Sequence, residues 1–280
     1  MITRSDILMQ GKRRLQELAI SDTPYLDALV LMSHSLNMRK EKLLASLEQP
    51  IWEVDAIAYG KLITLRERGL PVAYIMKRKE FYGLEFYVDK RVLIPRPDTE
   101  VLVEAAIEAC RSRETCKVLD LCTGSGCVGI SIKHTLPDTT VTLSDISEDA
   151  LAVASLNARN LLNCDLETVK SDLLDAIEGT FDIIVTNPPY LTNEECRDKT
   201  LKARSEPDLA LRSGEDGFDH IRRIINTAYK TLEKKGILLI EGGYDQLEKT
   251  RELMIGKGYT NITILKDLAG HNRVVRGQRN

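Results

Sequence analysis

The residues Asn187-Pro188-Pro189-Tyr190 combine an amide, a run of backbone carbonyls and an aromatic ring in one short stretch. They follow the apolar run 181–186, which has the length of a β-strand. Neither proline can donate to a β-ladder, and Pro188 favours an extended conformation for Asn187. The strand is therefore predicted to end here, leaving a stiff loop at the edge where open α/β sheets bind ligands.

The chemistry available to this loop is the capture of a planar NH2 group. The side-chain carbonyl of Asn187 and the backbone carbonyl of Pro188 could accept both of its hydrogens, while Tyr190 offers a ring for stacking. Such an amine is a poor nucleophile because its lone pair is delocalised. Holding both N–H bonds would align the lone pair with an electrophile and stabilise the positive charge that develops on nitrogen. The loop indicates a carboxamide or an exocyclic base amine as substrate, with a tight structural turn as the alternative.

Three acidic residues follow three predicted strands upstream of this loop. Asp120 precedes a glycine turn, Asp145 ends the next strand and Asp172 follows the third. Because the carboxyl ends of parallel strands meet at one edge of a sheet, all three are expected near the Asn187 loop. There Asp120 could meet a cationic amino group, Asp145 a ribose diol and Asp172 an adenine amine. Taken singly, Asp120 could instead cap the turn and Asp172 a helix.

The glycine turn matches a dinucleotide fingerprint, Gly124-x-Gly126-x-x-Gly129, with Asp145 about twenty residues on. Enzymes that use NAD and enzymes that use S-adenosylmethionine (SAM) share this arrangement, since both need close backbone approach and an acid for the ribose. The acids after the first and third strands favour SAM. The loop after the fourth strand also favours SAM, because hydride transfer has no use for it. An NAD dehydrogenase is therefore the least favoured class of protein.

The elements that position these residues alternate from residue 117 onward. Such alternation is typical of βαβ units and predicts an α/β fold with a doubly wound sheet. Strands are predicted at 118–121, 141–145, near 169, 181–186, 237–241, 260–266 and 272–276. Helices are predicted at 128–134, 149–161, 218–234 and 245–256.

Residues 2–70 carry apolar side chains at helical spacing and predict a bundle of about four helices. The bundle could be a packing appendage or a docking module for a macromolecular partner, and the sequence supports both equally. Predicted core positions include Leu8, Leu15, Leu18, Leu26, Leu29, Leu43, Leu44, Ile57 and Ile63.

A connector follows the bundle. Alternation over 81–89 and a turn at 89–91 predict a β-hairpin. Asp98 or Thr99 is then expected to cap a helix that runs through Cys110. Arg96 and Glu100 lie on or beside a stiff proline-rich segment and are predicted to line the site. The predicted domains are a helical domain (1–78), a hairpin and linker (79–98) and an α/β domain (99–280).

Composition restricts the class of protein further. The chain has 280 residues, a net charge of −3 and a pI of about 5.9, which argues against a broad nucleic-acid surface. None of the six cysteines forms a Cys-x-x-Cys pair, and the four histidines do not cluster, so reduced cysteines and no metal are expected. No signal peptide or membrane-length run is evident, which predicts a cytoplasmic protein.

These motifs together resemble class I SAM-dependent methyltransferases, and more narrowly the HemK/PrmC family, which methylates a glutamine side chain of peptide-chain release factors. The resemblance covers nearly the whole chain, although Met76-Lys77, Ser205 and Gly242 depart from the usual family pattern. It is carried by Phe81-Tyr82-Gly83, LIPRPDTE (93–100), DLCTGSG (120–126), Asp145, Asn187–Tyr190, Glu206-Pro207-x-Leu209-Ala210-Leu211, Gly214-x-Asp216-Gly217 and Asp267-Leu268-x-Gly270-x-x-Arg273-Val274-Val275.

The resemblance implies roles for individual residues. Asn187 and Pro188 would hold the glutamine amide while Tyr190 packs on it, and the N-terminal bundle would dock the release factor. The substrate side would also include Pro189, Arg96 and Glu100. The SAM pocket would be lined by Asp120, Leu121, Cys122, Thr123, Gly124, Gly126, Asp145, Asp172, Leu173 and Asn187.

The sequence therefore predicts a SAM-dependent protein-(glutamine-N5) methyltransferase that acts on the Gly-Gly-Gln loop of a release factor. It is expected to act as a monomer, to release S-adenosylhomocysteine and to contact no nucleic acid or membrane directly. The alternatives are a glutamine methyltransferase of a ribosomal protein, an adenine amino-methyltransferase of DNA or RNA, and a SAM-binding translation adaptor without turnover. A basic channel for a flipped base, which the adenine reading needs, is not evident in the sequence.

Overall fold

The computed structural model describes residues 1–197 and 205–280. The chain forms two compact units, one that contains Met1–Arg78 and one that begins at Lys79 and contains both β-sheets. In the described part of the chain, no helix is both long enough and apolar enough to cross a membrane.

The first unit is helical, as predicted, with five helices within residues 1–78. Leu8, Leu15, Leu29 and Ile63 are buried in its core. Leu18 was predicted as a core residue but is 51% exposed, because helix α1 has already ended at that point. Leu26, Leu44 and Ile57 are likewise exposed and were wrongly assigned to the core. The helices are α1 (Arg4–Glu17), α2 (Pro24–Ser35), α3 (Lys40–Leu44), α4 (Glu53–Glu67) and α5 (Val72–Met76).

The second unit opens with the predicted hairpin, but the turn lies earlier than expected. Strands β1 (Lys79–Phe81) and β2 (Leu84–Phe86) pair antiparallel around Tyr82-Gly83. Both turn residues have positive φ, 50° and 73°, which suits a tight two-residue hairpin turn. The alternation over 81–89 therefore covers the end of β1, the hairpin turn and all of β2. The predicted turn at 89–91 exists, since the Val92 amide donates to the Asp89 carbonyl at 3.1 Å, but it does not join the two strands of the hairpin.

A seven-stranded sheet forms the centre of the described second unit, in the order β5-β4-β3-β6-β7-β9-β8. Strands β5, β4, β3, β6 and β7 are parallel, and β9 runs antiparallel between β7 and β8. The order reverses between β3 and β6, as expected for a doubly wound sheet. The strands are β3 (Lys117–Leu121), β4 (Thr140–Asp145), β5 (Glu167–Lys170), β6 (Phe181–Thr186), β7 (Leu232–Glu241), β8 (Thr260–Lys266) and β9 (Asn272–Gln278).

Helices cover this sheet. Successive residues of β3 and β6 are buried, which requires packing on both faces of the sheet. The strongly amphipathic α10 contributes Ile221, Ile224 and Ile225 to that core. The helices are α6 (Glu100–Arg111), α7 (Cys127–Thr135), α8 (Glu148–Leu162), α9 (Asn193–Arg197), α10 (Asp219–Thr231) and α11 (Leu247–Lys257).

Two cysteines contradict the expectation that all six are reduced. Cys110, near the end of α6, forms a disulfide with Cys116, just before β3, and their Cα atoms are 5.6 Å apart. The chain reverses between helix and strand, which brings two buried side chains within disulfide range. A spacing of six residues in the sequence does not reveal such a reversal.

Candidate functional site

A cavity lies at the carboxyl edge of the sheet in the second unit. It is lined by residues that follow β3, β4, β5 and β6, together with the segment before α6. Eleven residues predicted for the site line it: Arg96, Asp120, Leu121, Cys122, Thr123, Gly124, Asp145, Asp172, Leu173, Asn187 and Pro189. Four do not: Gly126, Pro188, Tyr190 and Glu100.

Asp120 is buried at the base of the cavity. Its Oδ2 accepts hydrogen bonds from the Thr123 hydroxyl at 2.6 Å and from the Gly129 amide at 2.8 Å. Burial raises the pKa of the carboxyl to about 7, and these two donors oppose the rise. Asp120 therefore holds the glycine turn together through Oδ2, and no hydrogen bond to its Oδ1 is seen from residues 1–197 or 205–280.

Asp145 joins the glycine turn to the end of β4. It accepts from the Gly124 amide at 2.9 Å and from the Ser147 amide at 3.0 Å, while burial raises its pKa. Each oxygen keeps a further lone pair for a hydroxyl donor. Gly126 serves the turn from outside the cavity: its φ is +80°, and a Cβ there would lie 2.7 Å from the Ile130 side chain.

Asp172 occupies a half-exposed position at the cavity. It lines the cavity, but its Oδ1 pairs with Arg223 of α10 at 3.0 Å, and the side chain is 47% exposed. Residues 171–180, all of which the structure describes, contain no α-helix, so the helix-cap alternative for Asp172 is wrong. The next residue, Leu173, is buried with φ +52°.

Asn187 sits between the cavity and a buried polar chain. Its Nδ2 donates to the Thr99 hydroxyl at 3.3 Å, and that hydroxyl donates to Glu241 Oε1 at 3.1 Å. Thr99 and Glu241 are both 2% exposed, and burial raises the pKa of Glu241 to about 7. The NH2 group of Asn187 is thus engaged, and its side-chain oxygen is left as the acceptor.

Tyr190 packs behind the loop. Its ring contacts the hydrophobic core, and its carbonyl accepts from the Gln246 side chain at 2.9 Å. Burial raises the pKa of its phenol to about 12. Pro188 is also buried, whereas Pro189 reaches the cavity.

Arg96 lines the cavity and is held by a residue that sequence reasoning left unassigned. Glu206, 2% exposed, pairs with Arg96 at 2.6 Å and accepts from the Ile94 amide at 3.1 Å. Glu100 instead accepts from the Tyr82 amide at 3.0 Å, so it braces the hairpin turn. Glu100 does not line the cavity, and its role toward the substrate stays a prediction.

Other functional positions carry weak sequence signals. Asn157, buried in α8, donates to the carbonyls of Ser125 and Tyr87 and so fixes the back of the glycine turn. His220 lines the cavity with its Nδ1 2.9 Å from the Ser213 hydroxyl. For Asn157, the signal in the sequence was a polar residue on an otherwise apolar helix face. Among residues 1–197 and 205–280, no group of three or more acidic, histidine or cysteine side chains could hold a metal ion.

Solved methyltransferase structures share the fold of this chain. A methyltransferase from Pyrococcus furiosus superposes with a TM-score of 0.52 at 16% identity, over 72% of this chain and 92% of that one. The 16S rRNA methyltransferase RsmC of T. thermophilus, solved with AdoMet and guanosine, gives 0.53 at 18% identity, over 72% of this chain and 50% of that one. At such identities the likeness shows the fold alone, and it confirms the predicted fold class.

Sequence comparisons are more specific. Family models described as the PrmC N-terminal domain and the methyltransferase small domain match residues 6–76 and 97–204. A release factor glutamine methyltransferase of Clostridium acetobutylicum is 38% identical over 90% of this chain and 90% of its own length. One from Borreliella burgdorferi is 37% identical over 91% and 89%. The chain belongs to the family of release factor glutamine methyltransferases.

Proposed function

We propose that this protein transfers a methyl group from SAM to the side-chain amide nitrogen of a glutamine in the Gly-Gly-Gln loop of a release factor. The observation that carries the proposal is the orientation of Asn187. Its NH2 group is bound to Thr99, so its oxygen is the atom left to accept an N–H from a substrate amide. The family relationship supplies the class of substrate.

The residues around the cavity fit SAM. Asp120 has one oxygen free for the ligand's amino group, and Asp145 keeps acceptor capacity for a ribose diol. Leu173 and Asp172 lie where they could flank an adenine, although the amine would share Asp172 with Arg223. When bound, SAM supplies a methyl group whose bond to sulfur breaks as its bond to the amide nitrogen forms.

The chain's own contribution to the reaction is orientation and charge stabilisation. The Asn187 side-chain oxygen would accept one N–H of the glutamine amide. The Pro188 carbonyl is proposed for the other N–H, although Pro188 itself does not line the cavity. This aligns the nitrogen lone pair and stabilises the positive charge that grows on it. The nitrogen can lose its proton after transfer, since its acidity rises with that charge, and no strong base is required beforehand.

The roles of the two units follow from this proposal. The helical unit, residues 1–78, would dock the release factor, and the second unit would carry the chemistry. We also propose that the protein acts as a monomer in the cytoplasm, where its release factor substrate works.

The test is methylation of a purified release factor, followed by peptide mass spectrometry across its Gly-Gly-Gln loop. The glutamine should gain the mass of one methyl group. Asn187→Ala should slow this by about a hundredfold or more, the cost of losing one preorganised polar contact, while SAM affinity stays within about threefold. Asn226→Ala, an exposed change on α10, is the matched control. Turnover of Asn187→Ala within a few-fold of wild type would contradict the mechanism, and an unmodified factor would redirect the search to ribosomal proteins and then nucleic acids.

A further inference from the structure

We propose that Thr99 and Glu241 are positioning residues that fix the side-chain amide of Asn187 with its oxygen toward the substrate. The chain of hydrogen bonds Asn187–Thr99–Glu241 forms an amide relay. The inference rests on the proposed function, because it explains how the acceptor of the glutamine amide is held.

Strand register brings the relay together. Thr186 of β6 pairs with Ile240 of β7 in parallel register, so Asn187 and Glu241 are the next residues along neighbouring strands. Thr99 enters from the start of α6 and places its hydroxyl between them. Three elements that are distant in sequence thus contribute one polar group each.

The direction of each hydrogen bond in the relay follows from which groups can donate. Above the raised pKa of Glu241, about 7, its carboxylate only accepts, so the single hydrogen of the Thr99 hydroxyl must point to it. The Thr99 oxygen can then only accept, and of the two ends of the Asn187 amide only the NH2 group donates. As the acceptor for the Thr99 hydroxyl, Glu241 therefore selects, through Thr99, which end of Asn187 faces the substrate.

The relay is not explained by the ordinary structural uses of its members. Thr99 occupies the N-cap of α6, where a threonine hydroxyl usually accepts from the first turn, yet its side chain makes no capping hydrogen bond to the described helix. Glu241 is a buried carboxyl, which is costly to keep. Its Oε2 has no hydrogen-bond partner within the described chain, and the nearby Arg273 pairs with Asp98 and Asp267.

The relay also matters for charge during methyl transfer. A carboxylate that polarises the Thr99 hydroxyl makes its oxygen a better acceptor for Asn187, which in turn increases the negative character of the amide oxygen. That oxygen would face the nitrogen on which positive charge develops. The relay therefore acts on the transition state more than on the binding of SAM.

The experiment compares four variants of the full chain on the release factor. Thr99→Val removes the hydroxyl and keeps the shape, and Thr99→Ser keeps the hydroxyl. Glu241→Gln lets the new amide donate to Thr99, so the hydroxyl can turn toward the Asn187 oxygen. The control is Thr142→Val, because Thr142 is another buried threonine that donates to a glutamate, Glu167, but it lies outside the cavity lining.

Thr99→Val and Glu241→Gln should each lower kcat about tenfold, the equivalent of one hydrogen bond, with the dissociation constant of SAM within about twofold. The kcat of Thr99→Ser should stay within about threefold of wild type, and the kcat of Thr142→Val should equal that of wild type. The inference is overturned if Thr99→Val keeps wild-type kcat, if Thr99→Ser loses as much as Thr99→Val, or if SAM affinity falls in parallel with kcat. Should Thr99→Val not fold, Glu241→Gln decides by the same criteria.

A second measurement separates this inference from the proposed function. The side-chain NH2 resonances of Asn187, observed by NMR without any substrate, should shift in Thr99→Val and not in Thr142→Val. If wild type does not methylate the release factor but the shift occurs, the proposed function fails and the relay stands. If wild type is active and the resonances do not move, the relay is wrong and the function stands.

Discussion

Replacing Asp120 by Asn should change stability and SAM affinity in opposite directions. The carboxyl is 2% exposed and is held by Thr123 and Gly129. An Asn side chain keeps an acceptor for these donors and has nearly the same shape, but it carries no charge. The substitution therefore isolates the effect of the buried charge.

The stability effect has a definite sign. The Asp120 carboxyl loses its proton near pH 3.8 in the unfolded chain and near pH 7 in the folded protein. Between these values the folded state holds more protons, so the contribution of Asp120 to the free energy of unfolding is present at low pH and is lost as the pH rises through 7. The full difference is about 4 kcal/mol. Asp120→Asn cannot ionise, so the ligand-free variant should lose less stability than wild type over this range.

Asp120→Asn should weaken the binding of SAM, although it stabilises the ligand-free protein at high pH. If Asp120 pairs with the ligand's amino group, Asn removes that charge pair and turns an N–H donor toward a cation. We expect affinity to fall by about a hundredfold, the lower end of the cost of breaking a buried pair. At a SAM concentration one hundred times the wild-type Kd, SAM would stabilise wild type by about 2.7 kcal/mol and the variant by only about 0.4 kcal/mol.

The assay is urea unfolding with and without SAM at about pH 6 and about pH 8, on either side of the folded-state pKa. Asp165→Asn, an exposed substitution, is the control. Glu241 titrates in the same range, so the difference between wild type and variant gives the contribution of Asp120 to the pH dependence of the free energy of unfolding. If the free energy of unfolding of the variant changes with pH as much as that of wild type, the argument from burial is refuted. If SAM stabilises the variant as much as wild type, the assigned contact between Asp120 and the ligand is refuted.

Two further predictions concern the substrate side of the cavity. Glu206→Gln removes the charge that holds Arg96 but keeps an acceptor for the Ile94 amide, so KM for the release factor should rise about tenfold with SAM affinity unchanged. Steady-state kinetics beside the exposed control Glu252→Gln would test this, and an unchanged KM would exclude a role for the pair. Tyr190→Phe keeps the ring packed on the core and should stay within about threefold of wild type, whereas Tyr190→Ala should lose most of the rate. A phenylalanine variant as slow as the alanine variant would show that the hydroxyl takes part.

The sequence predicted the sheet and its cavity because both depend on local patterns. Strand-length apolar runs indicated β3, β4 and β6 within a residue or two, and the alternation with helices indicated parallel pairing. Residues at the carboxyl ends of such strands must share one edge. That is why Asp120, Asp145 and Asn187 line one cavity.

What the sequence did not predict depends on long-range geometry. Glu206 and Arg96 are 110 positions apart, and Thr99 and Glu241 are 142 apart, so neither partner marks the other. Asp98 or Thr99 was expected to cap a helix because capping is a common use of both residue types at this position. The hairpin turn was predicted too late in the sequence because alternation alone does not locate residues with positive φ.

The reversal of strand order between β3 and β6 has a consequence for how such an enzyme can diversify. The residues proposed to hold the methyl donor follow β3, β4 and β5, whereas the acceptor loop follows β6 and its relay is completed by Glu241 at the end of β7 and Thr99 before α6. The two sets share an edge, but their hydrogen bonds are anchored in different strands. One half of the sheet can therefore be inherited unchanged while the other acquires a new nucleophile, and a designer could graft a different loop after β6 without rebuilding the donor half.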